Sequence, residues 1–313
     1  MIYVEILGRM GNQMFSYAMA RMLQSKNMNQ KIAFDFSNFE YKDDTWMNYI
    51  FKFKCSYNVC EEKRKLNILQ KALLHIFYKK RNKINNWSDL RKFEDKYTDF
   101  LQIFGIYIYS VGYHRVRYKS MFKNKIVMGF YESSKYFDEI KDTIIDDFQV
   151  EIKNDYAENI IKDILNYTAI AVGVRRGDFT SKENKNFCDV CSPLYYEDGI
   201  KILYDKLKYK KNSNIKVYFF TDDIEWTKEN IKCDLPKEYI TSSISGQLKP
   251  WEMVYIISKC RYHVISNSSF FWWGQYLNND KDKLVIAPDR WRNENSEVYR
   301  DIYEDNWICI SPR

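Results

Sequence analysis

A chain of 313 residues with 45% hydrophobic and 17% aromatic content is too rich in core-forming side chains to be disordered, and long enough for two ordinary domains. Its net charge of +7 leaves nucleic acid, an anionic membrane surface and an anionic small molecule open as partners, but no helix-turn-helix, zinc-finger or RNA-binding signature selects the first. No apolar run approaches the ~20 residues that span a bilayer, and Met1–Leu7 is too short and too acidic for a targeting segment, so a cytoplasmic chain is expected, at most peripheral at the inner face of the membrane.

Residues 2–7 alternate as a strand, broken by Gly8-Arg9-Met10-Gly11, and Phe15, Ala18, Met19 and Met22 then mark the apolar stripe of a helix. Residues 31–36 read as a second strand. From about 40 to 125 the pattern is mostly helical, basic and irregular, an expected insertion. Within it Leu66, Leu69, Leu73 and Ile76 stand at helical spacing beside Lys63–Lys65 and Lys79-Lys80-Arg81, which predicts an amphipathic helix with a solvated basic face; contact with an anionic membrane is the second reading. A strand at 126–131 leads to a helix near 135–148.

The second half is more regular. Thr168–Val174 is a continuous apolar run, as a strand buried on both faces requires. Pro193 opens a helix carrying Tyr196, Ile200, Leu203 and Leu207. Ile215–Phe220 is a strand, Pro250 begins a helix with Met253, Ile256 and Ile257 facing in, and His263–Ser266, Ser268–Leu277 and Leu284–Ala287 continue as strand, helix, strand. This alternation predicts an α/β protein with a parallel, doubly wound sheet, whose ligands bind at the carboxyl ends of strands.

Three loops sit at such ends. Arg175-Arg176-Gly177-Asp178-Phe179 offers two adjacent guanidiniums, suited to a diphosphate, with an internal Arg175–Asp178 pair as the competing structural reading. Thr221-Asp222-Asp223 can hold a sugar hydroxyl or cap a helix. Ser266-Asn267-Ser268-Ser269-Phe270 places hydroxyls and backbone N–H groups where a helix begins, an anion site in form, or an ordinary cap before an aromatic core helix. Seven Cys at irregular spacing, with a lone Cys188-Asp189-Val190-Cys191 and only three His, point to reduced structural thiols rather than a disulfide framework or a zinc site. Asp280-Lys281-Asp282 reads as a solvated turn.

The stretches Gly8-Arg9-Met10-Gly11-Asn12-Gln13-Met14-Phe15, Gly129-Phe130-Tyr131-Glu132-Ser133, Val174–Phe179, Phe220-Thr221-Asp222-Asp223 and Ser266–Gly274, in this order, resemble the α-1,2-fucosyltransferases of glycosyltransferase family 11. The resemblance covers Met1 to about Trp307. It implies a GT-B-like fold of two Rossmann-like domains with parallel sheets facing a cleft. Residues 1–150 would form the acceptor-side domain and 151–313 the donor domain, with room for the C-terminal tail to pack back on the first.

The resemblance further implies a GDP-L-fucose donor, a galactose-type acceptor, inversion, and neither metal nor cofactor. On it, Arg175, Asp178 and Asn12 are the catalytic candidates. The donor-binding candidates are Arg175, Arg176, Asp222, Asp223, Asn267, Ser268, Ser269 and Phe270, and Gly11, Asn12 and Gln13 lie on the acceptor side. The partners expected are a nucleotide sugar and a glycan, with no nucleic acid; a lipid-linked acceptor would bring peripheral membrane contact. Two departures stand out: Gly173 occupies a place where the family usually has His, and Phe179 one where Tyr is common. A transferase for another nucleotide sugar and a non-catalytic carbohydrate-binding protein are the alternatives.

Overall fold

The computed structural model describes residues 1–39, 47–209, 214–293 and 296–312. Residues 40–46 of the expected insertion lie outside the described residues. The chain divides into two compact units, residues 1–149 with 297–303, and residues 150–296 with 304–313.

In the first unit β1 (Ile2–Glu5) feeds α1 (Met10–Ser25), and β2 (Ile32–Asp35) and β3 (Val59–Glu61) follow. The helices α2 (Ile68–Arg81) and α3 (Trp87–Ile103) lead to β4 (Ile106–Tyr109), β5 (Lys125–Gly129) and α4 (Lys141–Asp147). The five strands are all parallel, in the order β3-β2-β1-β5-β4. β1 and β5 lie together near the middle of the sheet, and ligands on parallel sheets bind at the carboxyl ends of strands, where the loops after these two begin.

The expected insertion thus does more than add helices: it supplies both edge strands. Each is three or four residues long, too short for a period-2 signal to stand out beside long helices. The packed face of α2 also differs from the expected stripe. Gln70, Leu74 and Phe77 are buried against Leu101, Ile106, Ile126 and Met128, with Leu66 and Leu73 partly covered, while Leu69 and Ile76 stand 44% and 53% exposed. Two helical stripes were available to α2, and contact with β4 and β5 chose between them.

Segment 297–303 is tied to this unit through Asp301, whose carboxylate accepts from Arg91 Nη2 at 2.8 Å, Lys135 Nζ at 2.8 Å and the Tyr113 N–H at 3.0 Å.

The second unit runs α5 (Asp155–Leu165), β6 (Thr168–Val174), α6 (Lys185–Cys188), α7 (Pro193–Leu207), β7 (Ile215–Thr221) and α8 (Ile224–Asn230). It continues with β8 (Lys237–Ile240), α9 (Pro250–Ile257), β9 (Tyr262–Ile265), α10 (Ser269–Tyr276), β10 (Leu284–Pro288) and β11 (Ile308–Ile310). All six strands are parallel, in the order β11-β10-β9-β6-β7-β8. Numbered within the unit this is 6-5-4-1-2-3, the Rossmann order, with its switch point between β6 and β9. Ile170, Val172, Val217, Phe219 and Val264 pack one sheet face against Tyr196, Ile200, Leu203 and Leu207 of α7. Both units are Rossmann-like, and the fold is of the GT-B type.

Candidate active site

The switch point of the second sheet collects the loops after β6, β9 and β10. Arg175 leaves β6 and is gripped by two carboxylates: Nη2 donates to Asp178 Oδ1 and Nη1 to Asp222 Oδ2 at 2.7 Å. Asp222, just past β7, also accepts the Arg176 backbone N–H at 2.8 Å. Gly177 lets that carboxylate in, since a Cβ there would stand 2.7 Å from Asp222 Oδ2. The internal Arg175–Asp178 pair is therefore real, and it holds the guanidinium in a fixed orientation with N–H groups to spare.

Arg176 lies flat on Trp226, its Cζ 3.9 Å from the ring centroid, and reaches Asp189 Oδ1 at 3.4 Å. Its Nε–H is buried without an acceptor. Arg292, beyond β10, has the same feature: its Nε is buried and unpartnered, while Nη1 approaches Cys188 Sγ at 3.4 Å. Its Cζ lies 5.2 Å from the Phe187 ring and 5.6 Å from the Phe179 ring. Ser266 Oγ, at the end of β9, is likewise buried with no partner. Buried donors are almost always satisfied in folded proteins, so three unmatched ones at the carboxyl ends of one sheet form a surface prepared for acceptor atoms. α10 begins beside it, with Ser268 at its N-cap. Ser269 and Phe270, half-buried, open its first turn.

Other predicted residues have structural duties. Asp223 caps α8, its Oδ1 accepting the Trp226 N–H at 3.0 Å, so the capping reading holds for it. Asn267 is 2% exposed and spends both amide hydrogens on carbonyls, Cys188 O at 3.0 Å and Trp291 O at 2.9 Å. It has no side-chain hydrogen left for a ligand, and instead pins the loops before and after the site. Gly173 has a steric account: a Cβ there would come 2.4 Å from Cγ of Phe271, so the Phe271 ring occupies the space any side chain at 173 would need.

On the first unit, the loops after β1 and β5 lie side by side at the carboxyl end of the sheet. Gly8 turns the chain with φ +67°, and its missing Cβ makes room for the Asn12 side chain, which lies half-buried on the first turn of α1 beside buried Gly11. Gln13 is fully buried, donating to Gly8 O at 3.2 Å and Met47 O at 2.8 Å and accepting the Tyr49 N–H at 2.9 Å. It closes a loop and is not presented to an acceptor, which corrects its predicted role. After β5, Tyr131 takes φ 53°, a strained conformation for an aromatic residue, held by its hydroxyl donating to Tyr107 O at 2.7 Å.

Sequence reasoning missed two groups here. Arg64 joins Glu5 at 2.8 Å and Asp35 at 3.3 Å, a buried ion cluster at the ends of β1 and β2. Desolvation works against ionising Asp35, but the Ser37 hydrogen bonds and Arg64 hold its pKa below the usual carboxylate value. Arg292 carried no motif; its one signal was a cation between Trp291 and Asn293 shortly after a strand.

Comparison with known proteins agrees with this architecture. The chain is 25% identical to the O-antigen biosynthesis glycosyltransferase WbnK of Escherichia coli, over 99% of this chain and 100% of that protein. It is 30% identical to an alpha-1,2-colitosyltransferase of Escherichia coli, over 58% of this chain and 61% of that one. The crystal structure of NodZ alpha-1,6-fucosyltransferase soaked with GDP-fucose superposes with a TM-score of 0.54 at 12% identity, over 92% of this chain and 94% of the other, a likeness of fold. A profile of glycosyl transferase family 11 matches residues 1–311, and the chain belongs to that family of glycosyltransferases.

Proposed function

We propose that this glycosyltransferase moves L-fucose from GDP-L-fucose to the 2-hydroxyl of a galactose-type residue, with inversion and without a metal, in the building of a bacterial surface polysaccharide. The observation that carries the reading is the unmatched donor set at the switch point of the second sheet: Arg176 Nε, Arg292 Nε and Ser266 Oγ, beside the clamped guanidinium of Arg175. A nucleoside diphosphate supplies the oxygen acceptors these groups lack. The O-antigen and colitosyl relatives support the polysaccharide setting.

As the sugar C1–O bond breaks, negative charge gathers on the β-phosphate of the departing GDP. Arg175 and Arg176 act as fixed positive charge for it, and the amino terminus of α10 near Ser268 and Ser269 adds to the same field. Asp222 and Asp178 hold the Arg175 guanidinium in place before the donor binds. The acceptor hydroxyl loses its proton to a base, for which Asp178 is the candidate in the donor unit. Asn12 positions the acceptor from the first unit.

The test is transfer from GDP-L-fucose to a β-galactoside in EDTA, following GDP and product together. Arg176→Gln should slow turnover by roughly 10²–10³. Unchanged turnover in both Arg175→Gln and Arg176→Gln ends the assignment. A colitosyl donor is the second reading, favoured by the colitosyltransferase relative and by Phe271 standing over Gly173. Thermal stabilisation by a panel of nucleotide sugars separates the two, since a ligand at 100 times its Kd stabilises by about 2.7 kcal/mol.

A further inference from the structure

Lys125 begins β5 at the end of the first sheet opposite the candidate acceptor residues. Its side chain is buried, 3% exposed, yet no carboxylate is paired with it, and its ammonium reaches Ser120 Oγ at 3.1 Å. Burial lowers its pKa with nothing to offset the loss of water. A desolvated cation of this kind is costly unless an anion meets it.

Lys125 lies in an open recess of about 500 Å³, which Lys119, Lys123, Asn27 and Asn29 also line and no acidic residue does. Exposed apolar side chains adjoin it: Met28, on its lining, at 86%, and Met121, between the lining residues Ser120 and Phe122, at 69%. The apolar margin continues outward. Phe122 stands 6.2 Å from Phe104 and Phe104 5.1 Å from Phe100, which is 51% exposed. Gln70 fastens the start of α2 to Phe104 O at 2.9 Å and Asn124 O at 3.2 Å, which brings up Ile68, 88% exposed, and Leu69. Five of the eleven large exposed hydrophobics among the described residues therefore gather at this one end of the sheet.

We infer that the amino-terminal end of the first sheet is a membrane-docking site whose recess takes the phosphate of an anionic lipid headgroup. The cations choose an anion, and the ring of Met, Ile and Phe around them chooses a bilayer over a dissolved phosphate or a nucleic acid, neither of which repays that exposure. A second copy of the chain fits poorly, because it would set Lys119 and Lys123 against themselves. The carboxyl end of the same sheet stays turned away, since β5 spans Lys125 to Gly129, on the order of 15 Å. The inference does not depend on which sugar is transferred.

Co-sedimentation of the full chain with phosphatidylcholine vesicles, alone and with 30% phosphatidylglycerol, tests it. Retention should require phosphatidylglycerol and weaken with salt. Each cation at a membrane surface contributes about fivefold, so Lys119→Glu/Lys123→Glu should weaken binding by at least ~25-fold, with the thermal midpoint kept. Met28→Asp/Met121→Asp should lower retention, whereas Lys79→Glu/Lys80→Glu, at the far end of α2, should change it by less than about twofold. Equal retention on both vesicle types overturns the proposal, as does a wild-type response in Lys119→Glu/Lys123→Glu. Stabilisation by inorganic phosphate with no vesicle binding assigns the recess to a dissolved anion instead. Self-association abolished by Met28→Asp/Met121→Asp assigns the face to a second copy.

Discussion

Gly173→Ala is the smallest change that tests the steric account of the second sheet's switch point. The new Cβ would lie 2.4, 2.5 and 2.8 Å from Cγ, Cδ1 and Cδ2 of Phe271, against a carbon–carbon optimum of about 3.5–4.0 Å. The ring must retreat by on the order of 1 Å, and little gives way. Phe271 is 4% exposed on the first turn of α10, and α10 is itself pressed so closely to α9 that a Cβ on Gly274 would come 2.4 Å from Ile257. Overpacking of a well-filled core costs about 1–3 kcal/mol, and the upper half of that range applies here. Lower unfolded-state entropy returns about 0.4–1 kcal/mol, leaving a net loss near 2 kcal/mol. For a unit of this size that lowers Tm by about 4–8 °C. Phe271→Leu in the same chain should relieve the clash, so a double-mutant cycle by urea unfolding should show the pair more stable than the sum of singles by about 1–2 kcal/mol. An unchanged Gly173→Ala midpoint, or strict additivity, would refute the reasoning. By the same geometry Gly173→His should fold only together with Phe271→Ala.

Three further outcomes are expected. His263 is fully buried, and burial, helped by Lys283 and only partly opposed by the Cys260 backbone, depresses its pKa from 6.5 to about 3. The unfolded chain therefore binds the proton first, stability is full above pH 6.5 and falls as pH drops toward 3, and urea unfolding should lose about 1 kcal/mol between pH 7 and 5.5, a loss that His263→Leu removes. Asn267→Ala strands two buried carbonyls, Cys188 O and Trp291 O, and should destabilise by about 2–4 kcal/mol in chemical denaturation, with Asn267→Asp no better because it lacks the N–H pair. Trp226→Ala removes the surface that Arg176 lies on and should raise the KM for the nucleotide sugar more than it lowers kcat, with Trp226→Phe restoring most of the affinity.

What could be read in the sequence followed the strength of the local signal. β6 and β7 are seven residues each and mostly apolar, with Thr168 opening β6 and Lys216 and Thr221 in β7, so the parallel sheet and its ligand end were legible, and with them Arg175, Arg176 and Asp178 as candidates. β3, β8 and β11 are three or four residues long and draw their identity from neighbours already in place, which no short window contains. The face of α2 failed for a related reason: the period was right, but two stripes satisfied it, and only contact with β4 and β5 decided which was buried.

The site residues divide on chemistry. Asn267, Gln13 and Asp223 read as ligand contacts from their places at strand ends and in the family's motifs, yet each satisfies backbone groups beside it. Tight turns at strand ends strip carbonyls and N–H groups of their ladder partners, and a side chain that restores them is as necessary as one that touches substrate. The residues with unmatched donors at these strand ends are different: Arg176, Arg292 and Ser266 each keep a buried side-chain atom without a partner. Polarity at a strand end therefore marks a candidate, whereas an unsatisfied buried donor there marks the place where the fold waits for another molecule's oxygen atoms. By that criterion Arg292, which has no motif around it, ranks with Arg176, and Arg292→Gln should weaken nucleotide-sugar binding at least tenfold while leaving the unfolding midpoint within about 1 kcal/mol of the parent.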